Sequence, residues 1–263
     1  MQSLTIIKIG GNVIDSPDAL ARFLTAFAQL PGNKILVHGG GKIATQVAEK
    51  LGVPTTMVDG RRITDQPMLD VVTMVYGGLV NKQIVAKLQA LDVNAIGMTG
   101  ADAGTVLAHK RPVGEIDYGL VGDIDEVDSG QIQFFLRQSL TPVFAPITYG
   151  KAGELFNTNA DTMASAIAVD LAHHNEVTLV YCFEKKGVLA DPADDDSVMH
   201  TLTPAQHAEQ RSAGSINKGM IPKLDNAFGA LRNGVSRVII CRADELTVAV
   251  SGQGAGTMLL AEK

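Results

Sequence analysis

Short apolar runs recur along the chain, and segments with helical patterns separate most of them. The apolar runs read LTIIKIG, KILVHG, PTTMV, NAIGMTG, PVFAPIT, VTLVYCF, SRVIICR and TMLLA. Apolar runs of this length, bounded by glycines and polar residues, are typical of strands buried in a parallel sheet. Their alternation with helices predicts an α/β fold, a three-layer αβα sandwich with a central mostly parallel sheet.

The segments between the strands carry the marks of amphipathic helices. DSPDALARFLTAFAQL offers Ser16 or Asp15 as an N-cap and Pro17 in the first turn. Its apolar stripe consists of Leu20, Phe23, Leu24 and Phe27. Further helices are predicted at 42–51, 66–91, 129–138, 160–172, 203–213 and 221–233. Residues 105–128 combine short strand-like pieces with Gly turns, which predicts an antiparallel hairpin at the rim of the sheet.

The length of 263 residues suits one large domain or two lobes. The segment LAHHNEV, near residues 171–177, separates a helix from the next strand and is the predicted hinge. We therefore expect an N-terminal lobe over residues 1–172 and a C-terminal lobe over residues 173–263.

Charge and cysteine content narrow the class of protein. The net charge of −6 does not favour nucleic-acid binding. No signal-like leader is visible, and no apolar run approaches the roughly 18 residues that span a bilayer. Cys182 and Cys241 each end an apolar run, which is typical of buried, reduced thiols. These features predict a cytoplasmic protein.

Two predicted strands end in glycines just before a helix. Gly10 and Gly11 follow IIKI, and Gly39–Gly41 follow ILVH. Such a turn lets backbone N–H groups approach an anion at a helix N-terminus, although the same glycines also occur in ordinary tight turns. The chain contains no G-x-G-x-x-G after these strands and no P-loop. The HGGG sequence has no G-x-S-x-G nucleophile to accompany it.

Three polar elements accompany the glycines. Lys8 lies inside an apolar strand, where an ammonium group needs a partner, unless the strand exposes it to solvent. The sequence FNTNAD places Asn157 and Asn159 before Asp161 at a helix start, where Asp161 either caps the helix or orients lysines. Lys223 follows Pro222 at another helix start.

Other titratable residues suggest structural roles. His38 is expected to pack or cap near the glycine turn, and His173 and His174 to form a solvated helix end. The run Asp194–Asp196 follows Asp191 and Pro192, which indicates a solvated turn and not a metal site.

Five motifs occur in the order IIKIGG, VHGGGK, DGRRIT, FNTNAD and GMIPK. With this order and spacing the chain resembles the amino acid kinase family over nearly its full length. It is most similar to the members that phosphorylate the side-chain carboxylate of an N-acylated glutamate in arginine biosynthesis. A carboxylate is already ionised at pH 7, so this reaction requires no general base.

The resemblance implies a role for each matched position. Lys8 would contact the transferred phosphoryl group, Lys223 would neutralise the leaving diphosphate, and Asp161 would orient both lysines. The implied substrate-binding residues are Gly40, Gly41, Arg62, Asn157 and Asn159. The implied nucleotide-binding residues are Gly10, Gly11, Glu184, Lys185, Gly187, Val188, Leu189, Gly219 and Met220.

The resemblance also implies ligands and assembly. ATP would be the phosphoryl donor, and Mg²⁺ would arrive with it without a dedicated protein metal site. The N-terminal lobe would bind the acyl amino acid and form a homodimer, with residues 66–91 as one candidate face. The C-terminal lobe would bind the nucleotide. Relatives that arginine inhibits carry an extra N-terminal helix, so we expect arginine insensitivity.

The sequence departs from the family pattern near the nucleotide. CFEKKGVL stands where S/T-D-V-x-G-V is usual, and Asn217 and Lys218 precede Gly219. We expect this loop to frame the nucleotide through different contacts.

Three other functions stay open at this point. The first is an N-succinylglutamate kinase, for which Lys42 or Arg61 would bind the extra carboxylate. The second is a kinase for another amino acid or for carbamate. The third is a non-catalytic sensor of nucleotide or amino acid, against which the retention of both lysines and Asp161 argues.

Overall fold

The structure, a computed structural model, describes residues 1–58, 60–191, 193–212 and 220–261. The strands within these residues are β1 (Gln2–Ile9), β2 (Asn33–His38), β3 (Met57–Val58), β4 (Arg61–Arg62), β5 (Ala95–Met98), β6 (Val106–Lys110), β7 (Gly122–Val127), β8 (Thr141–Phe144), β9 (Ile147–Tyr149), β10 (Leu155–Asn157), β11 (Asn175–Phe183), β12 (Thr201–Leu202), β13 (Arg237–Arg242) and β14 (Thr257–Leu259).

The helices of the same residues include all the predicted ones, and two short helices, α1 and α10, were not predicted. They are α1 (Gly11–Ile14), α2 (Pro17–Gln29), α3 (Gly41–Lys50), α4 (Gln66–Val72), α5 (Asn81–Gln89), α6 (Ser129–Arg137), α7 (Ala160–Ala172), α8 (Pro204–Ser212), α9 (Ile221–Arg232) and α10 (Leu246–Val250). A π-helical stretch, Thr73–Val80, connects α4 to α5. Among the described helices, none is long and apolar enough to cross a membrane.

In the described part of the chain, the main sheet has eight strands in the order β12-β14-β13-β11-β1-β2-β8-β5. β11 pairs in parallel with β1 and β13, and β8 pairs in parallel with β2 and β5. β14 is parallel to β12 and antiparallel to β13. The predicted α/β class with a mostly parallel sheet is confirmed.

The described chain forms two compact units, and the first comprises Met1–Ile35 and Ala164–Lys263. Its strands β1 and β11 are buried over most of their length, as expected for central parallel strands. Ser16 is the N-cap of α2, since its side chain accepts a hydrogen bond from the Ala19 N–H. The predicted stripe of α2 is buried and contributes to the core.

The second unit comprises Leu36–Met163. It contains a four-stranded sheet in the order β10-β9-β6-β7, in which β6 and β7 form the predicted antiparallel hairpin. The apolar run PTTMV was predicted as a strand of the main sheet, which is wrong. Only Met57 and Val58 are extended there, and they pair with Arg61 and Arg62 in a two-stranded ribbon.

The predicted helix 66–91 is largely confirmed, but its centre is π-helical. The compact units also differ from the predicted boundary after residue 172. β1 belongs with the C-terminal strands because it pairs with β11 from Gln2↔Asn175 to Ile9↔Cys182. A strand can therefore share a core with segments that lie far away along the chain.

Candidate active site

Lys8 and Lys223 meet at one aromatic ring. Lys8, on β1, is 5% exposed, and its Nζ lies 5.3 Å from the ring centroid of Phe183 at the end of β11. The Nζ of Lys223, in the first turn of α9, lies 3.9 Å from the same centroid. A ring face attracts cations and helps to hold both ammonium groups near one point. The structure therefore brings together two lysines that are 215 positions apart in the sequence.

Gly10 and Gly11 form the first glycine turn, directly after β1. Gly10 is the N-cap of α1 and has an extended backbone that any residue adopts. The lack of a side chain at Gly10 leaves room beside Lys8, because a Cβ at Gly10 would lie 3.7 Å from the Lys8 Nζ. The turn thus keeps backbone N–H groups and an ammonium group close together, which suits an anion.

Gly40 and Gly41 form the second glycine turn, between β2 and α3. Gly40 is the N-cap of α3 and has φ +152, a conformation that side chains rarely adopt. A Cβ at Gly40 would lie 3.0 Å from the Cδ1 of Tyr76. The first N–H groups of α3 have no partner within their own helix, which suits them to binding an anion.

Arg62 is buried against this second turn. Its Nη2 donates to the carbonyl oxygen of Gly41 at 2.9 Å and to the Thr45 Oγ1 at 2.9 Å. The ring of Tyr76 is also near, and burial raises the pKa of Tyr76 while the Arg62 charge partly offsets that rise. The guanidinium is therefore held in one orientation next to the glycines.

Asn157, at the end of β10, is linked to the Arg62 segment through Thr64. Its Nδ2 donates to the Thr64 Oγ1 at 3.0 Å, and that hydroxyl donates to the Arg62 carbonyl oxygen at 3.1 Å. Asn159 is the cap of α7, since its Oδ1 accepts from the N–H groups of Asp161 and Thr162. The structure thus gathers Gly40, Gly41, Arg62 and Asn157, all of which lie in the second unit.

Asp161 lies in the first turn of α7 and is 7% exposed. The sequence suggested Asp161 as a possible cap of this helix, but Asn159 supplies the cap. Its predicted effect on the two lysines stays a prediction.

The loop after β11 is packed by its own residues and by β14. A Cβ at Gly187 would lie 2.6 Å from the Thr257 Oγ1, and that hydroxyl accepts a hydrogen bond from the Val188 N–H at 2.8 Å. Leu189 forms a β-bridge with Val198. Glu184 accepts a hydrogen bond from the Asn12 side chain, which sequence reasoning missed.

The two lysines of this loop bind an acidic turn. Lys185 Nζ lies 2.5 Å from Asp195 Oδ1, and Lys186 Nζ lies 2.5 Å from Asp196 Oδ1. The hydrogen bond to Asp196 raises the pKa of Lys186, and the same bond lowers the pKa of Asp196. The turn is exposed, as predicted for Asp194–Asp196.

Several other predictions can be compared with the structure. Met220 is the N-cap of α9, whereas Gly219 lies outside the described residues, as do Asn217 and Lys218. Cys182 and Cys241 are buried free thiols, as predicted. His38 is fully buried beside the glycine turn, and His173 and His174 are exposed after α7, also as predicted.

Sequence reasoning missed Phe183, Tyr76 and Thr45, which hold the predicted residues in place. Each of these side chains contacts a site residue that lies far from it in the sequence, so the contact forms only in the folded chain. Phe183 had one local signal, its position at a strand end beside the unusual Glu184. Tyr76 had another, since it precedes the pair Gly77 and Gly78 inside an apolar helix.

Comparisons with known proteins show what this chain is similar to. An acetylglutamate kinase from Cytophaga hutchinsonii is 56% identical over 99% of this chain and 100% of its own length. Another from Phocaeicola vulgatus is 51% identical over 98% of both chains. The crystal structure of smu.665 from Streptococcus mutans superposes with a TM-score of 0.78 at 28% identity, covering 98% of this chain and 99% of that one.

The model of the amino acid kinase family matches residues 3–242, which include all five motifs. The resemblance that the motifs indicated is confirmed over nearly the whole chain. The protein belongs to the amino acid kinase family.

Proposed function

We propose that this protein transfers the γ-phosphoryl group of ATP to the side-chain carboxylate of N-acetyl-L-glutamate, a step of arginine biosynthesis. The relatives named acetylglutamate kinase match this chain end to end at 56% and 51% identity, which supports the substrate. The observation that carries the proposal is the convergence of Lys8 and Lys223 on the ring of Phe183.

The reaction is a displacement at phosphorus. A carboxylate oxygen of the substrate forms a bond to the γ-phosphorus as the bond to the β–γ bridging oxygen breaks, and ADP leaves with that electron pair. No proton has to be removed from the attacking group, so catalysis depends on positioning and on cancelling negative charge. Lys8 stabilises the transferred phosphoryl group, Lys223 stabilises the leaving diphosphate, and Asp161 orients the two ammonium groups.

The second unit supplies the residues for the acyl amino acid. In the proposal, the Gly40 and Gly41 N–H groups bind the attacking carboxylate. Arg62 and Asn157 bind the other carboxylate and the acetamido group, and Asn159 contributes through its side-chain amide. Support comes from the fixed guanidinium of Arg62, because a planar fork held in one orientation suits a carboxylate.

The first unit supplies the residues for ATP. Gly10 and Gly11 bind its phosphates, and the segment from Glu184 to Leu189 lies along the nucleotide together with Gly219 and Met220. Mg²⁺ would arrive bound to ATP, without a dedicated protein site, and would offset part of the negative charge of the phosphates. In the described residues, no three or more His, Cys, Asp or Glu side chains cluster as they would around a bound metal.

A hydroxamate assay tests the proposal, because hydroxylamine traps the acyl phosphate product. We expect product from N-acetyl-L-glutamate with ATP, and less from N-succinyl-L-glutamate, aspartate and carbamate. If the protein instead prefers N-succinyl-L-glutamate, the acyl group of its substrate is succinyl and not acetyl. No turnover of any acid, despite measurable nucleotide binding, would favour the sensor.

Two substitutions test the lysines directly. Lys8→Met and Lys223→Met each remove one ammonium group, and we expect kcat to fall by about 10²–10³-fold. Lys110→Met is the matched control, since Lys110 is exposed at the end of β6. Near-normal kcat in either test variant, with intact folding, would contradict the assigned roles.

A further inference from the structure

His38 is the last residue of β2 and directly precedes the second glycine turn. It is fully buried and has two polar neighbours. Its Nδ1 lies 2.7 Å from the carbonyl oxygen of Gly39, and its Nε2 lies 3.1 Å from the Nδ2 of Asn81, the first residue of α5. No step of the proposed reaction uses this imidazole as an acid or base.

The neighbours of Asn81 determine which way its amide faces. Lys82 Nζ, which only donates, lies 3.1 Å from the Asn81 Oδ1, and the Asn81 Nδ2 donates to the Val143 carbonyl oxygen at 2.8 Å. The amide nitrogen therefore faces His38 and donates to Nε2. Nε2 must then be unprotonated, so Nδ1 carries the hydrogen of the neutral ring and donates it to the Gly39 carbonyl.

Burial keeps the ring in this neutral form. Desolvation lowers the pKa of His38, the hydrogen bond to Gly39 partly offsets this fall, and the charge of Lys82 lowers the pKa further, to about 4. The ring is therefore neutral across the neutral pH range, and its hydrogen bonds to Gly39 and Asn81 select the tautomer.

The bond to Gly39 has a consequence on the other side of the peptide unit. In a planar trans peptide the C=O of one residue and the N–H of the next point in opposite directions. Fixing the Gly39 carbonyl toward His38 therefore directs the Gly40 N–H away from His38. The turn itself has no side chains that would limit rotation of this peptide, since residues 39–41 are all glycine.

We propose that His38 is a positioning residue that aims the Gly40 N–H at the substrate carboxylate, with Asn81 selecting the tautomer that makes this possible. The proposal rests on the proposed function, which places the Gly40 N–H on that carboxylate. It adds a chain of hydrogen bonds that starts at Lys82 on α5 and ends at the reacting group.

Two amide variants test the geometry. His38→Asn places a side-chain N–H at the former Nδ1 position, whereas His38→Gln, one methylene longer, places it near the former Nε2 position. We expect kcat to fall by about 10- to 100-fold in His38→Gln and in His38→Leu, since a misdirected oxyanion donor loses much of its effect. His38→Asn should recover most of this loss, and the KM for ATP should stay within about twofold in all three variants, because His38 lies outside the proposed ATP site.

Lys34→Met is the matched control for lost stability. Lys34 is the second residue of the same strand and is also buried, and its Nζ donates to the carbonyl oxygens of Ala28 and Leu30. We expect this variant to melt at a lower temperature with unchanged kcat. Equal kcat in the Asn, Gln and Leu variants of His38, or a loss that follows melting temperature alone, would overturn the inference.

A measurement on the unaltered protein covers the case in which the variants fail to fold. Nitrogen-15 NMR of the imidazole should show a protonated Nδ1 and an unprotonated Nε2 between pH 6 and 8. A protonated Nε2 in a neutral ring would overturn the inference. Failure of the proposed function would look different, since the unaltered protein itself would then form no acyl phosphate.

Discussion

Replacing glycine by alanine should lower stability at Gly40 and raise it at Gly229. Gly40→Ala places a methyl group 3.0 Å from the Tyr76 ring on a backbone with φ +152, so we expect a loss of about 2 kcal/mol in the free energy of unfolding. Catalysis should fall by about 100-fold or more, because relief of the clash moves the proposed oxyanion donor.

Gly229→Ala is the control for Gly40→Ala. Gly229 lies inside α9, has no positive φ, and a Cβ there would meet no atom within 4 Å. We expect about 0.5–1 kcal/mol of added stability, because alanine restricts the unfolded chain and favours helix. Denaturant titration and hydroxamate kinetics measure both effects. Equal behaviour of the two variants would show that the Gly40 backbone is not constrained as described.

The buried His38 predicts a loss of stability in mild acid. Its folded pKa of about 4 lies below the ordinary 6.5, chiefly through desolvation, so between these values the unfolded chain binds more protons. Stability therefore rises with pH through this window and is lost as pH falls from 6.5 toward 4. Between pH 7 and pH 5 the loss attributable to His38 is roughly 2 kcal/mol.

Denaturant unfolding at both pH values, for the unaltered protein and for His38→Asn, isolates this contribution. The variant lacks the titrating ring, so its stability should fall less between pH 7 and pH 5. An identical fall in both proteins would assign the acid sensitivity to other groups.

The residues that face the ligands were more accessible to sequence reasoning than the residues that hold them. Lys8 could be identified as a candidate because burying an ammonium group in an apolar strand is costly unless it has a partner. Tyr76 and Asn81 were missed, because a tyrosine or an asparagine within a helical segment does not by itself indicate which residue it contacts. Their roles come from contacts with Gly40 and His38, which only the folded chain creates.

At the scale of elements, the sequence predicted the helix starts and turns that depend on interactions between neighbouring residues. Ser16 and Pro17 predicted the start of α2, and glycine turns predicted the β6–β7 hairpin. The π-helical stretch Thr73–Val80 escaped prediction, since α and π hydrogen bonding differ by one residue and composition hardly distinguishes them. The run PTTMV looked like a strand but found its partner in the ribbon with β4.

The loop after β11 is predicted to contact the nucleotide through its two lysines. Lys185 and Lys186 are held by Asp195 and Asp196, and all four side chains are exposed enough for ATP phosphates to compete with the carboxylates. Replacing both lysines by alanine should raise the KM for ATP several-fold at low salt with little change in kcat, because salt screens exposed charges. Unchanged ATP affinity would show that this loop does not contact the nucleotide.

Charge removal on the acidic side is the complementary variant. Asp195→Asn with Asp196→Asn releases both lysines without shortening any side chain. The KM for ATP should then fall, and the difference should shrink in high salt. A rise instead would mean that the acidic turn orients the lysines and does not compete for them.

At the scale of the whole molecule, pairing between distant segments decided what the sequence left open. The predicted boundary after residue 172 followed a break in the local pattern. The compact units follow β1, which pairs with β11 and so belongs with residues far along the chain. Partner choice in a parallel sheet depends on crossover connections, and a single strand's composition carries little information about it.

The helical segment 66–91 is predicted to mediate self-association. Met74 and Leu79 are 54% and 45% exposed, and a pocket of about 500 Å³ beside Met74 is lined in part by Leu69, Leu120 and Leu155. Exposed apolar side chains that adjoin a partly apolar pocket are typical of protein interfaces. We therefore expect a homodimer that uses this face.

Light scattering should give twice the mass of the chain for the unaltered protein and the mass of one chain for Met74→Glu with Leu79→Glu, because buried, unpaired carboxylates oppose association. Phe134→Glu is the matched control, since Phe134 is 50% exposed on α6 and is not part of residues 66–91, and its replacement should leave the dimer intact. A monomeric unaltered protein would contradict the homodimer. A dimer that survives the double substitution would place the interface elsewhere, because two opposed pairs of glutamates could not be buried there without a large loss of affinity.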